Sequence, residues 1–230
     1  MPKHDRAAPS LREEESFYRA GCRLVAGIDE AGRGAWAGPV VAAAVILPRR
    51  DCIASELRGV RDSKRLTPAQ RALMRERIQH VALAWSVGSA SSAEIDAWGI
   101  LPATRLAMMR AVAGLQLTPD VLLIDAVSLP ELYLPQRAFP YADAISLSVA
   151  AASILAKTAR DALMCDLDAS VGGYGFAGHK GYGTRAHAEA LIKLGPSWAH
   201  RRTFRPVVEV MSSDGRLGRV GGDCRLESRE

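Results

Sequence analysis

A chain of 230 residues, 48% hydrophobic and 24% charged, has the composition of a globular protein with one sizeable core, and a single main domain is expected. A formal charge of +5 and a pI near 9.2 lean toward an anionic partner but do not identify it. No stretch is apolar for long enough to cross a bilayer, the first twenty residues lack the apolar core of a signal peptide, and Cys22, Cys52, Cys165 and Cys224 fall in no zinc spacing. A cytoplasmic protein with reduced thiols and no membrane partner is therefore expected.

In chain order, residues 1–22 read as a charged, mobile arm. A short buried strand follows at 24–28 and ends in Asp29 and Glu30, and a second, rich in valine, spans 40–47. Two adjacent carboxylates at a strand end repel one another and are costly to desolvate, so a cation is their natural partner. Between the strands, Gly32, Gly34 and Gly38 let the backbone turn tightly and approach a ligand, with Arg33 projecting between two of them. The glycine spacing is neither that of a Walker loop nor GxGxxG, and taken alone the stretch reads as a solvated strand end followed by a turn.

Residues 51–66 are a connection carrying RDSKRLT, after which Thr67 and Pro68 start a helix that runs to about residue 80. A strand at 81–89 leads to a capping box formed by Ser91 and Glu94, and a helix covers 101–115. The run VLLID then repeats the pattern of the first strand, apolar and closed by an acid, Asp125. Ligands bind beyond the carboxyl ends of parallel strands, which places Asp125 across from Asp29 and Glu30. A loop punctuated by Pro130, Pro135 and Pro140 reaches a long alanine-rich helix with Asp143 at or just before its start. Each acid alone reads as a strand end or a helix cap. Together, Asp29, Glu30, Asp125 and Asp143 suit a pair of hard divalent cations, Mg2+ or Mn2+, clamping the oxygens of a phosphodiester, which is the chemistry of a nuclease.

The segment VGGYGFAGHKGYGTRAH interleaves glycines with Tyr174, Phe176, His179, Lys180 and Tyr182, a composition that meets phosphate with cations and sugars or bases with rings. His179, His187 and His200 are assigned no ligand role, because a hard-metal site needs none. A helix spans 184–194, and Arg201, Arg202 and Arg205 read first as a solvated basic face, with phosphate contact the lesser reading. Residues 211–230 read as a flexible tail.

The segments GIDEAGRGAWAGPVVAAAVIL, DSKRL, LIDA, DAISLSVAAASILAKTARD, YGFAGHKGYGT and HRRTF, in this order and spacing, resemble the ribonuclease HII family over nearly all the chain but its two ends. The resemblance implies a ribonuclease H-like α/β fold, a mixed five-stranded sheet flanked by helices with a carboxy-terminal helical portion, occupying residues 23–210. It also implies an endonuclease that hydrolyses the RNA strand of RNA-DNA hybrids and incises duplex DNA 5′ of embedded ribonucleotides, leaving 5′-phosphate and 3′-hydroxyl ends; a monomer is expected. By the same resemblance the metal-binding catalytic acids are Asp29, Glu30, Asp125 and Asp143, Gly32, Arg33 and Gly34 contact the 2′-hydroxyl side of the junction, and Tyr182 packs on the sugar beyond it. Lys64 and Lys180 join them as substrate-binding residues. Two departures stand out: Ala35 and Trp36 replace an expected Pro and Leu, and Ala142 replaces a glycine before Asp143. Competing readings are a same-fold nuclease that ignores ribose and an inactive nucleic-acid-binding module.

Overall fold

The computed structural model describes residues 8–217. Strands β1 (Val25–Ala31), β2 (Val40–Ile46), β3 (Ala84–Ala90), β4 (Val121–Asp125) and β5 (Gln136–Phe139) form one sheet in the order β3-β2-β1-β4-β5. The first three pair antiparallel, whereas β4 runs parallel to β1 and β5 parallel to β4. This is the mixed, helix-flanked α/β sheet that the sequence led us to expect.

Strand β2 is buried on both faces, which is why it reads VVAAAVI rather than alternating apolar with polar. On one face Ala42 and Ala44 meet Ala103, Ala107 and Ala111 of α5 (Ile100–Ala113). On the other, Ala43 and Val45 pack with Ala150, Ile154 and Leu155 of α6 (Leu147–Val171) and with Met74 and Ile78 of α3 (Pro68–Val81). Small side chains let these helices lie close to the sheet. At the crossings not even a methyl fits, because a Cβ on Gly27 would strike the Ser148 backbone and one on Gly88 the Ala107 carbonyl.

Local chemistry fixes the helix ends. Thr67 and Gln70 close a reciprocal capping box ahead of Pro68, and Ser91 and Glu94 close another at α4 (Ser92–Trp98). A helical carboxy-terminal portion follows α6, comprising α7 (Phe176–His179), α8 (Arg185–Leu194) and α9 (Arg205–Leu217). Among the described residues no helix is long and apolar enough to cross a membrane.

Four stretches differ from the sequence expectation. The supposed mobile arm contains α1 (Arg12–Arg19), and its Glu14 is fully buried. Glu14 Oε1 accepts hydrogen bonds from Ser146 Oγ (2.6 Å), Ser148 N–H (2.9 Å) and Ser148 Oγ (2.7 Å), so an acid far upstream caps the start of α6. The 51–66 connection holds α2 (Ile53–Glu56) and a 3₁₀ turn, Ser63–Arg65. The Pro-punctuated loop contains the edge strand β5, and the tail begins inside α9, the rest of it lying outside the described residues.

Candidate active site

Asp29 and Glu30 lie within β1 rather than beyond it, opposite Ala43 and Ala42 of β2. The parallel pairing with β4 ends at Ile28 and Ile124, so Asp29 and Asp125, the next residue of each strand, emerge at one level of the sheet edge. Asp143 sits in the 3₁₀ turn Ala142–Ala144 that leads into α6. The N–H of Ala142 donates to Asp125 Oδ1 at 2.8 Å, which ties the third acid to the turn bearing the fourth. The alanine found in place of glycine is tolerated there, fully buried, while Tyr141 before it takes up the left-handed conformation.

Asp29, Glu30 and Asp125 line a cleft of about 580 Å³, together with Gly32, Arg33, Gly34, Lys64, Lys157 and Tyr182. Asp143 is not in its lining but is felt there. Burial, then Glu30, Asp125 and Asp143, raise the Asp29 carboxyl well above the ordinary carboxylate range. Burial likewise raises Glu30 against the pull of Arg33, and raises Asp125 against the Ala142 N–H and Lys64. Asp143 is pushed up to about 6 by burial and by the charges of Asp62 and Asp125. Lys64 is raised although burial opposes it, because Asp62, Asp143, Asp29 and Asp125 surround it.

Every acid of the cleft therefore resists ionisation in the metal-free protein. Among the described residues no three His, Cys, Asp or Glu side chains are gathered tightly enough to hold a metal ion as they stand. Each acid has instead found a local donor: Asp29 Oδ1 accepts from the Glu30 N–H (2.7 Å), Glu30 Oε1 from Arg33 (3.1 Å) and Asp125 from Ala142. Glu30 Oε2 is buried with no hydrogen-bond partner. An orphaned carboxylate oxygen beside other carboxylates, with no imidazole or thiolate among them, has the chemistry of a hard divalent cation site.

Residues 26–207 match the sequence model of the family described as Ribonuclease HII. The chain belongs to the ribonuclease HII family. A ribonuclease HII of Roseiflexus castenholzii is 54% identical over 94% of this chain and 96% of its own length, and one of Chloroflexus aurantiacus is 53% identical over 89% and 97%. The crystal structure of the ribonuclease H2 from Pyrococcus horikoshii superposes with a TM-score of 0.69 at 27% identity, covering 83% of this chain and 98% of that one. Membership of the ribonuclease HII family makes the chain an endoribonuclease acting on the RNA of RNA-DNA hybrids, on a ribonuclease H-like fold.

One expected substrate contact, Lys180, and one residue of the expected basic face, Arg201, are placed differently. Lys180 does not line the cleft: its Nζ donates to the Ala177 carbonyl (2.6 Å) and lies 3.1 Å from Cys165 Sγ. Its backbone is left-handed, with the carbonyl turned to Arg160, and the side chain follows the seam between α6 and α7. Arg201, read as part of a solvated basic face, is fully buried. Conversely, Lys157 of α6 lines the cleft, paired with Asp161 at 2.7 Å and lying 5.8 Å from the centre of the Tyr182 ring. Ser153, one helical turn earlier, lines it too and bonds Ser63 of the DSK segment (2.9 Å). That i, i+4 spacing was the available signal for both.

The histidines hold one another. The N–H of Ser197 donates to His200 Nδ1 (3.0 Å), which leaves the proton on Nε2 to donate to His187 Nε2 (3.1 Å). His187 then donates from Nδ1 to the Tyr182 carbonyl (3.0 Å). Trp36, one of the two departures from the family pattern, packs its ring against His187. The chain works only while both rings are neutral, and burial, helped by His187, holds His200 down to about 4. A histidine whose folded pKa is depressed takes up protons more readily unfolded, so stability is lost as pH falls from about 6.5 toward 4. The shift corresponds to about 3 kcal/mol for His200. The raised carboxylates act in the opposite sense, so urea unfolding should be compared between wild type and His200→Gln at pH 7 and pH 4.5. The wild type is expected to lose more stability than the variant on acidification, and equal losses would contradict the neutral relay.

Proposed function

We propose that the chain incises duplex DNA 5′ of embedded ribonucleotides, as well as cutting RNA-DNA hybrids, with Asp29, Glu30, Asp125 and Asp143 holding Mg2+ or Mn2+. The observation that carries this reading is the crowd of ionisation-resistant carboxylates beside a glycine turn with unused backbone donors. Among the described residues the N–H groups of Arg33 and Gly34 donate to no protein acceptor, and both residues are exposed at the cleft. Backbone amides that a substrate can approach closely are suited to a 2′-hydroxyl, the group that distinguishes ribose from deoxyribose.

Cations held by Asp29, Glu30, Asp125 and Asp143 would supply Lewis-acid activation of a water and charge stabilisation at the leaving 3′-oxygen, so this chain would need no covalent nucleophile. The side chains have separate tasks. The four acids supply the negative charge that the cations neutralise. Lys64, kept protonated by the acids around it, and Lys157 present positive charge to the substrate backbone, while Tyr182, 36% exposed at the rim, offers its ring to the neighbouring sugar. The deciding experiment maps the ends made on a duplex with one ribonucleotide, beside an all-DNA control, in Mg2+. Cutting on the 5′ side with 5′-phosphate and 3′-hydroxyl products is expected. Equal cutting of the control, or 3′-phosphate ends, would overturn the reading.

Charge sets a further expectation. If several phosphates are neutralised, log Kd should vary linearly with log salt with a slope of about 0.9 per contact, and Lys64→Ala should flatten it by about one unit. Lys180→Ala, whose side chain is turned away, should leave the slope as it is. An unchanged slope in Lys64→Ala would remove that lysine from the phosphate track.

A further inference from the structure

Among the described residues the two largest fully buried side chains are Arg160 and Arg201, and neither makes an ion pair with a carboxylate. Burying an unpaired guanidinium is expensive, so what it binds in compensation is informative. Arg201 donates from Nε to the Gly38 carbonyl (3.0 Å), and from its two terminal nitrogens to the carbonyls of Arg33 (2.8 Å) and Gly32 (2.7 Å). Arg160 donates from Nε to Pro39 O (2.9 Å), and from its terminal nitrogens to Lys180 O (2.9 Å) and Ala37 O (3.2 Å). Two planar forks thus gather the carbonyls of the 32–39 loop and one from the loop that carries Tyr182.

The arrangement determines which way the turn faces. With the carbonyls of Gly32 and Arg33 drawn inward, the N–H groups of Arg33 and Gly34 are left without a protein acceptor at the cleft. Gly32, at φ +96°, lies directly on Arg160, whose Nε a Cβ there would strike. The same guanidinium carbon lies 5.3 Å from the centre of the Tyr182 ring. One buried cation therefore touches both the turn and the ring. The two cations repel each other, and burial together with Arg160 lowers the Arg201 pKa to about 9, a cost that packing alone does not require.

We propose that Arg160 and Arg201 are positioning residues for ribose recognition: they hold the Gly32–Gly34 turn with its amides toward the cleft and in register with Tyr182. The inference rests on the ribose-reading role given to that turn above. Lysine keeps the charge but concentrates its donors at one point, so it cannot span three carbonyls in a plane. Arg201→Lys should leave Mn2+ affinity, followed by calorimetry, within about twofold of wild type, since the acids are untouched. Its single-turnover rate on a one-ribonucleotide duplex should fall on the order of a hundredfold, the scale of a displacement of about 1 Å at a reacting group. Its preference for that duplex over all-DNA, measured as a Kd ratio in Ca2+, should collapse toward one. A wild type with no such preference would overturn both the ribose reading and the clasp, whereas a wild type that discriminates and an Arg201→Lys that discriminates equally would overturn the clasp alone. Hydrogen exchange on the wild type provides a test that needs no variant. The Arg33 and Gly34 amides should exchange quickly in the free protein and become protected by the ribonucleotide duplex but not by all-DNA; protection in the free protein, or none in the complex, would overturn the proposal.

Discussion

Asp29→Asn is expected to lower cleavage by on the order of a thousandfold while making the metal-free protein more stable, the combination expected of an acid held among like charges for its chemistry. Asp29 is 5% exposed and faces three further carboxylates. Its pKa is raised in the folded state, so ionising it costs more in the native protein than in the unfolded chain. The sign follows: a carboxylate with a raised folded pKa stabilises below its unfolded pKa and loses that contribution as pH rises. Asparagine nearly preserves the shape, still accepts the Glu30 N–H through its amide oxygen, and removes the charge. Thermal unfolding in EDTA should therefore give a higher Tm for Asp29→Asn than for wild type. Mn2+ should raise the Tm of wild type and scarcely that of the variant, because binding to the native state alone stabilises in proportion to affinity. Substrate affinity should be largely retained, since the phosphate contacts remain. Full cleavage by Asp29→Asn in Mg2+ would remove this residue from the site, and an unchanged Tm in EDTA would contradict the crowding of charge.

The parts of the fold that were legible in the sequence are those whose cause is local. VLLID is a strand because four apolar residues in a row favour it, and the capping boxes at Thr67 and Ser91 close because both partners lie within four residues. Asp29, Glu30 and Asp125 stand out because they end apolar runs, and the structure brings all three to one cleft. What escaped depends on distant partners. Nothing near Glu14 announces that its acceptors' donors are Ser146 and Ser148, so a helix with three acids in its first turn passed for a mobile arm. β5 is three half-buried residues and an exposed Arg137 on a sheet edge, too short and too wet to carry a periodic signal, and it exists because β4 offers it a ladder. Arg201 sits in a run that looks solvated, and its burial follows from carbonyls more than 160 residues upstream. Lys180 has the composition of a phosphate contact, but its left-handed backbone points the side chain elsewhere.

Gly34→Ala is expected to lose about a hundredfold in cleavage of a single embedded ribonucleotide with no loss of Tm or Mn2+ affinity, and comparison with Gly32→Ala gives the result its meaning. From the sequence the two glycines look equivalent, either one resisting a side chain through backbone angle or through closeness to substrate. The structure separates these reasons. Gly32 has φ +96° and no room, because a Cβ there meets the Arg160 side chain, so Gly32→Ala must strain the backbone and disturb the fork beneath it. Lower Tm and lower activity are both expected of it. Gly34 has neither a left-handed φ nor any atom within 4 Å of an added Cβ. The folded protein alone has no use for glycine at that position, and by conformational entropy alanine should if anything stabilise slightly. The open space is the cleft itself, bounded by Tyr182 and the acids. A methyl placed there displaces whatever approaches the Arg33 and Gly34 amides, so its cost falls on substrate and not on fold. Tyr182→Ala should share part of this signature, lowering rate more than affinity, because a ring that orients the sugar acts on the placement of the scissile phosphate. A Gly34→Ala protein that cuts as fast as wild type would mean that nothing comes within van der Waals distance of the turn during the reaction, and the ribose-reading role of Gly32, Arg33 and Gly34 would have to be given up.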